Sequence, residues 1–226
     1  MQQRHRCSGS SEVALVLIEC VAQLADPKCY AAAYRQLPRF RQKKADSLMF
    51  ERDGRLSVGA WLLLWQAFHR EGVCLDSYPI SYSERGKPYA EGCPLRFSIS
   101  HSGEYVMCAV SRSREVGCDI QQIDAYDEGL ARVCMTSREL DEIEALPSAA
   151  QRAHAFYRHW VAKESYIKAL GSGLAKAPAS FAVGLCGDEG ARGSARIIDE
   201  ASTGEADIFE VEAPEGYCAA VCTLGH

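Results

Sequence analysis

The sequence predicts an α+β fold in which helices and an antiparallel meander recur in two successive halves. Three observations predict it. Helical spacing of apolar residues fills 28–69 and returns over 132–170, and strand-like runs follow each helical region. The 226 residues, 47% hydrophobic and 24% charged, suit an ordinary soluble globule able to bury a full core.

In order along the chain, the apolar run Val13–Cys20 predicts the first strand, after a frayed leader. Arg4 and Arg6 before it give a superficial likeness to a secretory signal. Glu19 interrupts the run, no small-residue cleavage site follows, and the expectation is a cytoplasmic protein. No other apolar run approaches the roughly 20 residues of a membrane span. Residues 28–50 alternate basic and apolar side chains, and Pro38 divides them into two short helices. Residues 56–69 are apolar nearly all round, which predicts a buried helix. Gly86-Lys87-Pro88 forms a turn before an extended stretch over 96–100. Residues 105–111 and 116–121 read as a hairpin around 112–115, and the boundary between halves falls there, giving 1–112 and 113–226.

In the second half, residues 132–146 are helical, with Thr136 and Glu139 spaced as a capping box, and Pro147 ends them. A long helix over 149–170 stops at Gly171-Ser172-Gly173. Strand-like runs then cover 180–185, 195–198 with 207–211, and 217–224.

Composition narrows function. A net charge of -5 argues against a general nucleic-acid binder, although Arg39, Arg41, Lys43 and Lys44 form a local basic run. The eleven cysteines contain no Cys-x-x-Cys, and the closest pair is Cys218 and Cys222. That scatter fits neither structural zinc nor a disulfide scaffold, so most read as small buried hydrophobes.

Two segments about fifty residues apart carry the chemistry. One contains Phe97-Ser98-Ile99-Ser100-His101-Ser102 and Gly117-Cys118-Asp119-Ile120; the other is Trp160-Val161-Ala162-Lys163-Glu164-Ser165-Tyr166-Ile167-Lys168. Asp119 and Gln121, two apart on a strand, share a face. Glu164 and Lys168, four apart on a helix, also share one, although as a plain helix pair they contribute only ~0.2–0.5 kcal/mol and need no function. His101 alone could be a histidine capping a loop. Acids for a hard cation beside bases for phosphate, in this order, point to chemistry on a phosphorylated substrate.

These motifs, with Gly86-Lys87-Pro88 and Arg55-Leu56-Ser57-Val58-Gly59, resemble the 4′-phosphopantetheinyl transferases, specifically the larger surfactin-synthetase-activating type. The resemblance implies two similar α+β subdomains related by a pseudo-two-fold, a monomer, and an active site in the cleft between the halves. It implies transfer of phosphopantetheine from coenzyme A to a serine of an apo acyl or peptidyl carrier protein, releasing adenosine 3′,5′-bisphosphate. The pathway could be fatty-acid, polyketide or nonribosomal-peptide synthesis, with no nucleic-acid or membrane partner. Asp119 and Glu164, with Gln121, would hold Mg²⁺, with Mn²⁺ as the alternative ion. Arg55 and Lys44 would take the 3′-phosphate, and Lys87, Ser100 and His101 would contact the rest of the coenzyme. Glu164 would act as base, Lys168 would serve the leaving phosphate, and Lys163 would add positive charge. The carrier would dock partly on residues 123–139, where Leu130, Val133 and Met135 are equally consistent with core packing.

Two departures stand out. Gln121 sits where many relatives carry a second carboxylate, and Ile123 replaces a hydroxyl residue. The other readings are a coenzyme-A-binding module without turnover, and a magnesium-dependent nucleotide pyrophosphatase.

Overall fold

The computed structural model describes residues 2–6, 13–185, 194–198 and 206–225. Its first core grows on α3 (Glu51–Arg70), with acidic Glu51 and Asp53 in its first turn and His69 and Arg70 in its last, charges that favour both helix ends. One stripe of α3, including Leu56, Ala60, Leu64 and Phe68, is buried, whereas Trp65 and Gln66 are exposed. The helix is therefore amphipathic rather than buried all round. The shorter α1 (Pro27–Arg35) and α2 (Arg39–Asp46) flank it; Asp26 caps α1 and Pro38 precedes α2.

Beneath these helices lies an antiparallel sheet of order β1-β2-β6-β5, built from β1 (Gln2–Arg6), β2 (Val13–Cys20), β5 (Arg96–Ser102) and β6 (Tyr105–Ser111). The expected leader is thus partly a strand, β1, paired along β2. The turn read at Gly86-Lys87-Pro88 closes a small hairpin of β3 (Ile80–Tyr82) with β4 (Pro88–Ala90).

The second sheet has the order β7-β11-β10-β9-β8: β7 (Glu115–Gln122), β8 (Ala182–Leu185), β9 (Ser194–Ile198), β10 (Ala206–Glu210) and β11 (Tyr217–Leu224). The described strands of the first sheet precede Arg112, and those of the second follow Arg114. β6 and β7 are not the expected hairpin: β6 pairs with β2 and β5, and β7 with β11. Residues 112–114 carry the chain between sheets, and the hairpin is β5–β6, turning at Gly103. Gly103 has φ +58, and a Cβ there would lie 1.9 Å from the Tyr217 hydroxyl, so no other residue fits without rearrangement.

Strand alternation distributes side chains between three packed clusters. Leu15 and Leu17 face the helices, while Val16 and Ile18 face the second sheet, meeting Val116, Cys118 and Ile120 of β7 and Ala219 and Val221 of β11. On the far side of the second sheet, Cys218, Ala220 and Cys222 pack with the helices α4 (Glu128–Cys134), α5 (Ser137–Glu144) and α6 (Ala149–Leu170). The layers run helix, sheet, sheet, helix. The helix expected over 132–146 is broken at Met135 and Thr136, because the Thr136–Glu139 capping box begins α5.

The two sheets also meet edge to edge. Alternate serines of β5 accept backbone N–H bonds from alternate residues of β7: Ser98 from Cys118 at 3.1 Å, Ser100 from Ile120 at 3.4 Å and Ser102 from Gln122 at 3.0 Å. Hydroxyls thus stand in for a strand partner, and this seam leads straight to the candidate site.

Candidate active site

Close approach of α6 to β7 creates the site. A Cβ on Gly117 would lie 2.0 Å from the Ser165 carbonyl oxygen and 2.3 Å from the Ala169 nitrogen, so only glycine lets the helix backbone settle there. Two residues further on, Asp119 points to the same side of β7. The Lys168 ammonium donates to Asp119 Oδ1 at 2.6 Å and to Ser100 Oγ at 2.9 Å; the Ser100 hydroxyl donates to the same Oδ1 at 2.6 Å. Asp119 is buried, and its Oδ2 has no hydrogen-bond partner.

Glu164 stands one turn before Lys168. Partial desolvation pushes its carboxyl above the usual range, the Asp119 charge adds to the rise, and Lys168 opposes it. For Lys168, burial works to lower the ammonium, but Asp119 leads the groups that outweigh it, so its value is raised. A cleft of about 400 Å³ opens over these residues, with Arg85, Lys87, Ile99, Glu164, Lys168 and Lys176 among its walls.

The remaining expected residues are placed unequally. His101 follows Ser100 on β5; desolvation and Lys168 push its imidazole down, while Asp53 and Asp119 pull it up. Lys87 lines the cleft, but its ammonium bonds to Glu115 at 2.8 Å and to the Ala169 carbonyl at 2.9 Å. Gln121, half-buried, follows Asp119 on the same side of β7. Arg55 lies 4.0 Å from Glu104 in the β5–β6 turn. It lines a second cavity of about 350 Å³ with Tyr30, Asp46, Met49 and Phe50, and exposed Lys44 borders neither cavity.

Lys163 requires a correction. It neighbours Glu164 in sequence, yet it is fully buried and bonded to Glu139 at 2.8 Å and to the carbonyls of Pro178 and Phe181. Its charge faces the second core, not the cleft, because successive helix residues point about 100° apart. Sequence reasoning also missed Arg85 and Lys176. Their signal was a cation beside each glycine turn: Arg85 before Gly86-Lys87-Pro88, and Lys176 after Gly171-Ser172-Gly173.

Two carboxylates that feel each other's charge, a lysine bonded to one of them and a cation-lined cleft now stand together. The family model described as the 4′-phosphopantetheinyl transferase superfamily matches residues 115–222, which include Asp119, Glu164 and Lys168. A 4′-phosphopantetheinyl transferase of Bacillus subtilis is 34% identical over 171 residues, covering 74% of this chain and 73% of that protein. The chain belongs to this superfamily. The psf-1 transferase of Bacillus pumilus is 30% identical over 81% of this chain and 77% of its own length. The transferase HetI of Nostoc sp. is 37% identical over 112 residues, and there the match spans only 46% of either protein. The family model's match falls in the half that carries β7 and α6. Among the described residues, no helix is long and apolar enough to cross a membrane.

Proposed function

We propose that this superfamily member transfers 4′-phosphopantetheine from coenzyme A to a serine hydroxyl of an apo carrier protein. The observation that carries the reading is the buried, unpartnered Oδ2 of Asp119, whose other oxygen is bonded to Lys168, which lines the cleft with Glu164. A buried carboxylate oxygen with no donor wants a cation. Two carboxylates with waters completing the shell suit Mg²⁺, which is commonly bound through one or two carboxylates plus substrate phosphates. Asp119 and Glu164 would hold that ion, with the Gln121 amide oxygen as a neutral third donor; Mn²⁺ suits the same oxygens. Bound there, the ion supplies positive charge beside a diphosphate.

The chain's own residues do the rest. Glu164, its carboxyl raised by desolvation and Asp119, takes the proton of the incoming serine; base assistance of this kind is typically worth ~10²–10⁴-fold. The serine oxygen forms a bond to the phosphorus bearing the pantetheine arm. The bond from that phosphorus to the bridging oxygen breaks, and adenosine 3′,5′-bisphosphate leaves. The Lys168 ammonium, with two of its donors used by Asp119 and Ser100, has a third for the departing phosphate oxygen. Ser100 fixes Lys168 and Asp119 relative to each other. Lys87, Arg55 and Lys44 supply charge for the coenzyme's phosphates, with Arg55 and Lys44 serving the 3′-phosphate. His101, held toward its neutral form by desolvation and Lys168, contacts the coenzyme by hydrogen bonding.

We read residues 1–112 and 113–226 as two pseudo-two-fold related subdomains, acting as a cytoplasmic monomer without a nucleic-acid or membrane partner. The acyl or peptidyl carrier docks partly on α4, where Leu130 and Val133 are 42% and 71% exposed; buried Met135 packs inward.

The test is intact-mass spectrometry of apo acyl and apo peptidyl carriers incubated with the protein, coenzyme A and Mg²⁺, alongside EDTA and Glu164→Ala controls. The expected result is a phosphopantetheine mass gain that needs both metal and Glu164. A second reading, coenzyme A binding without turnover, rests on Gln121, which removes a negative charge from the site. It predicts coenzyme A binding with no mass gain on any carrier.

A further inference from the structure

The function proposed above leaves one buried ionic cluster unused. Glu139, the third residue of α5, has both carboxylate oxygens answered. Oε2 accepts from the Thr136 backbone at 2.8 Å, the Thr136 hydroxyl at 2.9 Å and Lys163 Nζ at 2.8 Å; Oε1 accepts the Val183 N–H at 2.8 Å. Lys163 has no exposed surface and completes its donors on the carbonyls of Pro178 at 2.8 Å and Phe181 at 2.5 Å. His159, also buried, stands 3.6 Å from Glu139.

Both carbonyl partners belong to the segment that leaves α6 and forms one wall of the cleft. Gly171, Gly173, Lys176 and Pro178 of that segment line it. The Lys176 ammonium lies 5.2 Å from the centre of the Phe181 ring, and Lys163 lies 4.8 Å from the same ring. Apart from two short 3-10 turns the segment has no regular structure, so backbone hydrogen bonds to Lys163 substitute for a strand or helix partner.

We propose that Lys163 and Glu139 are positioning residues: a buried post that fixes the 172–181 wall, and with it Lys176, at the distance from Glu164 and Lys168 that coenzyme A requires. The post spans α5, α6 and β8, so the catalytic helix and the cleft wall move as one piece. Lys163 carries out this role through Pro178 and Phe181 and touches no substrate. The inference rests on the transferase reading for its ligand, but not for its structural readout.

The test uses the full chain and the variants Lys163→Met, Glu139→Gln and their combination. Each is assayed for the KM for coenzyme A and kcat with an apo carrier, coenzyme A binding by calorimetry, amide hydrogen exchange of 172–181, and thermal midpoint. For Lys163→Met, the expected KM and Kd for coenzyme A rise about tenfold while kcat stays within about threefold. Exchange of 172–181 speeds up about tenfold or more, with β6 amides unchanged as the internal reference. The combined variant, with no unpaired buried charge, regains the thermal midpoint but not KM or slow exchange.

Recovery of all three in the combined variant would mean a merely stabilising pair and would overturn the proposal. So would a kcat loss of about a hundredfold with KM and exchange unchanged, the signature of a group acting on the reacting atoms. If Lys163→Met does not fold, Glu139→Gln carries the same readouts, with coenzyme A binding weakened about threefold. A wild type that transfers nothing sinks the transferase reading alone, because exchange and coenzyme A binding still decide whether the post exists.

Discussion

Helix α6 contributes the lysines of two carboxylate–lysine pairs that look alike and behave differently. Lys168 meets Asp119 at 2.6 Å on the cleft side, and Lys163 meets Glu139 at 2.8 Å inside the second core. Glu139 has donors on both oxygens, whereas Asp119 has two on Oδ1 and none on Oδ2. Pairing is therefore a poor guide to role; the unanswered lone pairs are the better one. A carboxylate whose every site is filled holds elements together. One left half-filled beside a cleft is available to a ligand.

The sharpest break in that comparison comes from Glu164→Ala. Transfer should fall about 10²–10⁴-fold, with the denaturation midpoint nearly unchanged; an equal fall in midpoint would mean that Glu164 is structural. The reverse pattern is expected of Glu139→Ala. It leaves Lys163 buried without its partner and should cost about 3–5 kcal/mol of stability by urea titration. A loss under about 1 kcal/mol would place Glu139 with ordinary surface pairs.

A smaller effect comes from pH. Desolvation leads the forces that lower the His159 imidazole, so it folds neutral, with Glu139 opposing the shift. Below the ordinary histidine value the unfolded chain takes a proton that the folded chain refuses. Stability should then fall as pH drops from about 6.5 toward the lowered folded value, by at most ~1.4 kcal/mol per unit. His159→Gln should flatten that component of the wild-type curve; identical curves would show that His159 protonates freely in the fold. The smallest change is Gln121→Glu, which restores a negative charge beside Asp119. Half-maximal transfer should need less Mg²⁺, with maximal rate similar, and an unchanged magnesium titration would remove Gln121 from the metal site.

Local signals were legible in the sequence. Val13–Cys20, the Pro38 break, the Thr136–Glu139 capping box and the long helix ending at Gly171 all depend on neighbouring residues, and all are in the structure. Gln2–Arg6 escaped notice because a strand of polar and basic residues shows no apolar alternation. The partner of β7 could not be read either: short strands declare their extension, not their neighbours, so residues 112–115 looked like a hairpin turn. The same limit governs the site. Asp119, Glu164 and Lys168 stand out in the sequence only through the joint order of their motifs, which resembles a known family; each alone reads as an ordinary strand or helix residue. Lys163 reads as one more positive charge near the site because its partner, Glu139, lies on another helix and leaves no local mark.

The serine seam has a consequence for the protein in a crowded solution. β5 closes one end of the first sheet and β7 one end of the second, and such ends are templates on which foreign strands add. Here the edge amides of Cys118, Ile120 and Gln122 are already answered by hydroxyls from the other end. Ser100, which joins Asp119 to Lys168, and its alternate neighbours Ser98 and Ser102 thus guard the chain against edge-to-edge aggregation. Replacing all three with alanine should make the chain assemble through these edges, which light scattering would register as growth in particle size.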